Sequence, residues 1–502
     1  MDATPDDLRS DMQMIPVGIL LTKKRNGAHK CRAVALGNFL DKTGVDVFAP
    51  TLSMTAHRIL LTKAARDGDY IKCFDIDSAF LNASVDMNLL IKLPEDFVKP
   101  GEPTVKRLKK ALYGLPQAPK AWFQHYANGL KSLGWRQSKN EPSIWRKQSG
   151  EVIGRYLKMS VYVDDNIITG PSLPELEKEM RFTLAQYAGR EIKPELEPNG
   201  WQLWDALGAE FRYNRSQRSM KLTMATYIEK LAEKYNVRTT APDPNFREND
   251  LMAEKFEINF PYREIIGALQ WVSTIARPDV TRNINLLSRF LGKPVTLPRV
   301  DAAKRIIKYL VLTKNEGIYY SPLNEKFFKA QYAEDGDGQA VPPSEHLLFN
   351  DASFAANVDS YYSNSGSVLY VHGTPVAWRS GRQKVRAQST CEAEWIAAAD
   401  GLTWVSQVSC LEFFSGKDDN IEAKLPEDLL IMCDNRSAVL VAKTEEVRPK
   451  SRHFALRLIR VRDESKRVVY CRTDKMCADA LTKAVPGKVR ALLLGHLARL
   501  PK

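Results

Sequence analysis

Three aspartates are the first residues of this chain whose type and spacing could do chemistry. Asp164 and Asp165 stand side by side in "SVYVDDNIITG", between two apolar runs that read as a hairpin. Asp75 ends a strand-like run upstream, in "YIKCFDIDSAFLNA". Carboxylates clustered away from water are unfavourable unless cations offset them. They are also the hard oxygen donors that Mg²⁺ takes together with substrate phosphates. Two such ions, about 3.5–4 Å apart, can activate an attacking hydroxyl and stabilise the leaving oxygen of an in-line phosphoryl transfer. Aspartate is equally a turn residue, so Asp-Asp-Asn alone also reads as ordinary turn chemistry.

The surrounding elements would have to bring these acids together. "VGILLTKKRNGAHKCRAVALGN" reads as two β runs about an Asn26-Gly27 hairpin signal, with a strongly basic loop. "LLIKLPEDF" is a short strand stopped by proline, and "APKAWFQHYANGLKSLGW" (118–135) has helical apolar spacing and a glycine near its end. "SLPELEKEMRFTLAQY" (172–187) is a helix capped by Ser172. From about 200 to 320 a strand pair is mixed with helices, and 328–345, rich in Gly, Pro and acids, reads as a linker. Beyond it, consecutive strands followed by strand–helix alternation suggest a mixed sheet carrying helices.

At 502 residues the chain is too long for one ordinary core, and its 44% hydrophobic and 26% charged composition is that of a globular protein. No run approaches 18 uninterrupted apolar residues, so no membrane partner is expected. The start, "MDATPDDLRSDMQ", lacks the features of a secretory or transit peptide. The net charge of +13 fits a polyanion partner, nucleic acid above all, or simply a solvated surface. Seven cysteines, at 31, 73, 391, 410, 433, 471 and 477, form no CxxC pair, which suits reduced thiols better than disulfides or structural zinc.

"FDIDSAFLNA", "LKKALYGLPQAPKAWF" and "YVDDNIITG", in this order, resemble the reverse transcriptase of copia-type (Pseudoviridae-like) long-terminal-repeat retrotransposons. "GALQWVSTIARPDV", "INLLSRFLGKP" and "AAKRIIKYLVLTKNEGIYY" resemble the segment that follows in such Pol polyproteins. "NDASFA", "STCEAEWIA", "CDNRSAVLVAK" and "ADALTKAVP" resemble their ribonuclease H. The resemblance runs from about residue 15 to 487. It implies an α+β and α/β multidomain protein, a right-hand polymerase followed by a ribonuclease H-like mixed-sheet domain. The expected boundaries are 1–200 fingers and palm, 201–327 palm end, thumb and connection, 328–345 linker, 346–487 ribonuclease H and 488–502 a basic amphipathic tail.

The resemblance makes Asp75, Asp164 and Asp165 polymerase metal ligands, joined by the backbone carbonyl of Ile76. Phe80 matches the aromatic that crowds the sugar 2′ position, and Gln117 the glutamine that touches the incoming nucleotide; a core Phe and a polar loop Gln are the plainer readings. Pro116 stands where family members more often have lysine. Lys23, Lys24, Arg25, Lys30 and Arg32 would meet triphosphate or template phosphates, or be solvated charges. The second constellation is Asp351, Glu394, Asp434 and Asp479, four acids from separate elements, as two-metal hydrolysis of a phosphodiester requires. Glu394 is preferred to Glu392 because it precedes "WIA". Many ribonucleases H place a mobile histidine before the last acid, but "CRTDKMCADALTK" has none. His453, Lys450, Arg452 and Arg457 would contact a hybrid backbone or form a solvated basic face. Trp122, Trp271 and Trp378 could stack on bases, though core packing is the simpler expectation.

The implied function is RNA- and DNA-directed DNA synthesis with cleavage of RNA in RNA–DNA hybrids, using two Mg²⁺ or Mn²⁺ ions per site. Implied partners are RNA template, DNA primer, hybrid and dNTPs, with integrase or a second copy of the chain. The implied location is cytoplasmic virus-like particles, with nuclear entry of the product complex. With no protease, integrase or zinc-knuckle segment visible, the chain reads as a product or excerpt of a longer polyprotein. The rival reading is a domesticated or inactive retroelement protein that binds nucleic acid or assembles particles without turnover.

Overall fold

A computed structural model describes residues 12–23, 29–41, 43, 46–85, 89–252, 257–356, 360–405, 413, 416, 425–444 and 455–495. The chain divides into two compact units, 1–52 with 71–193, and 53–70 with 194–502.

In the first unit, strands Gln13–Lys23 and His29–Ala35 pair antiparallel, Val17 opposite Ala35 through Lys23 opposite His29, as the Asn-Gly signal predicts. They belong to a four-stranded sheet completed by Leu89–Lys92 and Val105–Arg107. The larger sheet has six strands, in the order Gly189–Ile192, Tyr70–Ile76, Asp165–Gly170, Tyr156–Tyr162, Ile144–Gln148, Arg136–Gln137. Central strands carry nearly continuous apolar runs, with Cys73, Phe74, Leu157, Met159, Ile167 and Ile168 all buried. Helix Ala118–Ser132 begins with proline in its first turn. Helix Leu173–Gln186 is capped by the Ser172 side chain, which accepts from the Glu175 N–H.

In the second unit, strands from Glu195 to Thr223 and Ile318–Tyr320 form a five-stranded antiparallel sheet. Helices Tyr262–Ile275, Thr281–Ser288 and Leu297–Leu312 follow its hairpins. Arg277 and Asp279 pair here fully buried, at 2.7 Å, with Tyr309 Oη donating to Asp279 at 2.8 Å. A second five-stranded sheet has the order Thr374–Arg382, Asn364–Val371, His346–Ser353, Leu430–Cys433, Val468–Tyr470. Its first three strands are antiparallel and its last two pairings parallel, the mixed sheet that the strand–helix pattern suggests.

Three details differ from the sequence expectations. Helix Met54–Asp67, placed with the fingers and palm, belongs to the second unit: Arg58 donates to the carbonyls of Thr274, Ile275 and Val376 at 2.6–3.0 Å. The expected linker begins inside helix Pro322–Gln331, and Phe328 and Tyr332 enter the core of the mixed sheet beside Phe349 and Tyr370. Their spacing is an apolar helix face, which the acid- and Gly-rich residues after it conceal. The expected tail starts in helix Gly487–Leu492 and buries Leu492, Leu493 and Leu494. Among the described residues no helix is long and apolar enough to cross a membrane, and the six described cysteines are free.

Candidate polymerase and nuclease metal sites

The hairpin carrying the first acids turns through two residues, since Tyr162 pairs with Asp165. Asp164 therefore lies in the turn and Asp165 opens the next strand, where the sequence reading put both in the turn. Val163 takes φ 59°, a left-handed conformation costly for a β-branched residue. Its carbonyl accepts from Trp122 Nε1 at 2.7 Å, and Trp122, stacked on Tyr126 and 2% exposed, is thereby a core and hairpin-bracing residue. The Asp164 carbonyl accepts from the Ile76 N–H at 3.0 Å and from Asn166 Nδ2 at 2.8 Å, fastening the turn to the strand that ends in Asp75 and Ile76. The sheet order thus delivers all three acids to one place.

They act on one another. Burial first, then the charges of Asp164 and Asp75, push Asp165 up to about 6. Asp75 is raised by burial and Asp164, against the pull of Arg190 and Lys30. Arg190 forms ion pairs with Asp75 at 2.8 Å and Asp77 at 3.1 Å. Around this cluster, Phe80 is half-buried and meets Tyr113 edge-on, with centroids 4.8 Å apart. Arg32 lies over the Tyr113 ring at 5.6 Å. Tyr113 is raised by burial and then by Asp164, so its hydroxyl also senses the acids. Gln117 is buried immediately before helix Ala118–Ser132. Arg25 lies outside the described residues, and Lys23 is placed only as backbone in its strand.

The second cluster is tighter. Asp351, Asp434 and Asp479 offer oxygens that all lie within 4.8 Å of one another. Asp351 lies in the central strand His346–Ser353, Asp434 just after Leu430–Cys433, and Asp479 at the head of helix Asp479–Thr482. Gly366 faces Asp351 across the sheet; a Cβ there would meet Leu481 Cβ at 2.7 Å and Thr482 Cγ2 at 2.8 Å. The missing side chain is what lets the last helix close on the strand. Thr482 Oγ1 donates to Asp351, and Thr473 Oγ1 donates to Asp434 at 2.9 Å.

Glu394, on helix Thr390–Val405, is 7% exposed and its Oε2 has no hydrogen-bond partner. Burial, then Asp351 and Asp434, raise it well above the usual range, so it faces the same cluster. Glu392 instead accepts from the Gln388 N–H at 2.7 Å, just before the helix, while Ser389 Oγ caps the helix by accepting from the Glu392 N–H at 3.1 Å. Burial and then Asp351 push Asp479 up to about 7, with Lys483 opposing. Lys483 Nζ lies 2.9 Å from Asp479 Oδ1. Among the described residues, the three mutually close aspartates, with the buried Glu394 Oε2 lacking a hydrogen-bond partner beside them, make a donor set that suits hard divalent cations.

His453, Lys450 and Arg452 lie outside the described residues; Arg457 is placed only as backbone in helix Ala455–Arg462. Trp271 is 39% exposed, while Trp378 donates to the Ser273 carbonyl at 3.1 Å and carries Arg58 over its ring at 4.1 Å. Sequence reasoning missed Tyr113, Arg190, Gly366 and Lys483. Tyr113 and Lys483 sit inside the motifs "ALYGLPQAP" and "ADALTKAVP", which was the available signal. Arg190 and Gly366 carry none.

Residues 6–243 match the family described as reverse transcriptase (RNA-dependent DNA polymerase), and this segment is a reverse transcriptase domain. The chain is 29% identical over 482 residues to the retrovirus-related Pol polyprotein from transposon RE1 of Arabidopsis thaliana, covering 92% of this chain and 30% of that protein. It is 26% identical over 479 residues to the one from transposon TNT 1-94 of Nicotiana tabacum, covering 91% and 33%. The chain is thus similar to the reverse transcriptase region of copia-type Pol polyproteins, and it spans about a third of the length of these relatives. A solved foamy viral protease-reverse transcriptase in complex with double-stranded DNA aligns at 12% identity and TM-score 0.26, covering 97% of this chain and 68% of that one.

Proposed function

We propose that the chain is an RNA- and DNA-directed DNA polymerase in its first unit and a ribonuclease H in its second, serving retrotransposon cDNA synthesis. The carrying observation is two separate acid clusters, one in each unit, in which burial first and the neighbouring carboxylates second push Asp165 up to about 6 and Asp479 up to about 7. Asp75, Asp164 and Asp165, with the Ile76 carbonyl, would hold two divalent cations in the first site. Asp351, Glu394, Asp434 and Asp479 would hold two in the second, Mg²⁺ or Mn²⁺ in both. When bound, such ions supply charge neutralisation that lets a primer 3′-hydroxyl, or a water, attack a phosphorus at neutral pH.

The chain's own residues do the placing. The braced Val163–Asp164 turn fixes the first carboxylates before substrate arrives, which avoids reorganisation during the reaction. Lys30 and Arg32, the first acting on Asp75 and the second lying over Tyr113, would carry the positive charge that meets a dNTP triphosphate. Phe80, held edge-on by Tyr113, would form the wall beside the sugar, and Gln117 would touch the nucleotide. Template, primer and hybrid would be gripped mainly through phosphates and sugars. In the second site Thr482 and Thr473 orient Asp351 and Asp434 from behind.

The test is primer extension on RNA and DNA templates alongside cleavage of an RNA–DNA hybrid. Asp164→Asn with Asp165→Asn should abolish extension and leave cleavage, and Asp434→Asn should do the reverse. Hybrid cleavage unchanged by Asp434→Asn would remove the nuclease half. Absence of extension by the unaltered chain, with hybrid binding retained, would favour the inactive retroelement protein.

A further inference from the structure

The second acid cluster contains its own cation. Lys483 Nζ stands 2.9 Å from Asp479 Oδ1, one helical turn along from it, and the Asp479 side chain is 9% exposed against 42% for Lys483. The neighbouring Thr482 donates to Asp351, so one short segment delivers a hydroxyl to one carboxylate and an ammonium to another. One carboxylate oxygen from each of Asp351, Asp434 and Asp479 lies within 4.8 Å of the others. The ammonium therefore occupies a carboxylate that a divalent cation in this cluster would also use.

We propose that Lys483 is a built-in counter-ion of this cluster that competes with divalent metal for Asp479 and so sets the metal concentration the site requires. The inference rests on reading the cluster as a metal site. Without metal, Lys483 neutralises one of four crowded carboxylates and keeps Asp479 folded against Asp351. When metal is taken up, the half-exposed lysine stem lets the ammonium swing outward. Lys483 is a positioning residue, acting through Asp479.

The test uses the full chain carrying Asp164→Asn and Asp165→Asn, so that the second cluster dominates metal uptake, with Mn²⁺ and Mg²⁺ chlorides as probes in calorimetry. Removing a unit charge a few ångströms from a bound divalent ion in a partly solvated site should tighten binding about tenfold in Lys483→Gln. Lys483→Arg, which keeps the charge, should stay near the parent. In the chain with an intact first cluster, Lys483→Gln should lower the metal concentration for half-maximal hybrid cleavage by a similar factor. Metal binding equal to or weaker than the parent's in Lys483→Gln would overturn the proposal. Should that variant unfold without metal, its Tm must rise more steeply with Mn²⁺ than the parent's; a parallel or flatter rise overturns it as well. If Asp434→Asn in the same background leaves metal binding unchanged, the metal-site reading itself fails, a result distinct from either.

Discussion

Asp165→Asn should stabilise the metal-free first unit while ending primer extension. Asp165 is raised from 3.8 to about 6 because burial, Asp164 and Asp75 all disfavour its charge. The sign follows from its being an acid with a raised folded-state pKa. Below pH 3.8 it is protonated folded and unfolded, and nothing is lost. Between 3.8 and 6 the unfolded chain ionises first, so stability falls as pH rises; above 6 the full penalty stands. Raising the carboxyl from 3.8 to about 6 corresponds to about 3 kcal/mol before screening. Water still reaches the half-buried carboxylate, and its screening brings the expected gain down to about 1–2 kcal/mol. Asparagine keeps the side chain's shape and removes the charge. Because the chain has two units, the gain is best read locally, as slower hydrogen exchange of strands Tyr156–Tyr162 and Asp165–Gly170 in EDTA. Protection should rise about five- to thirtyfold at pH 7.5 and be unchanged near pH 4, after correction for intrinsic exchange. Equal or lower protection at pH 7.5, or the same gain at pH 4, would refute the picture of a first site strained by its own charges.

Other perturbations separate the parts of the molecule. Gly366→Ala inserts a Cβ within 2.7–3.0 Å of Leu481, Thr482 and the Ala478 carbonyl, so it should push Asp479 away from Asp351. Hybrid cleavage should drop at least tenfold with extension unchanged, and metal binding by the second cluster should weaken. Asp279→Asn leaves the fully buried Arg277 without its ion-pair partner and should destabilise the second unit by about 3–5 kcal/mol in urea unfolding. Trp122→Phe removes the indole donor from the Val163 carbonyl; a loss of about 1 kcal/mol and slower extension are expected, with hybrid cleavage unaffected.

The sequence by itself singled out the candidate acids and the local elements that carry them. "YVDD" between two β-branched runs, Ser172 before a helical period and Asn26-Gly27 between alternating strands are local signals, because hairpins, caps and turns depend on neighbours a few residues away. The sequence prefers Glu394 to Glu392 because it precedes "WIA", whereas the burial of both side chains and the contact of Glu392 with the Gln388 N–H belong to the fold. Only the tertiary structure decided what each acid faces. Arg190 reaches Asp75 because two strands distant in sequence pair antiparallel, Arg190 opposite Asp75. Gly366 matters only because another helix leans on it. Phe328 and Tyr332 looked like the start of a linker until a sheet formed after them in the chain supplied a core to enter. Burial and long-range pairing set these outcomes, and both depend on residues a local window does not contain. The same holds for "SVYVDDNIITG": its composition marks a turn of two acids, but the strain at Val163 and the charge crowding at Asp165 exist only once Trp122 and the strand ending in Ile76 close on it.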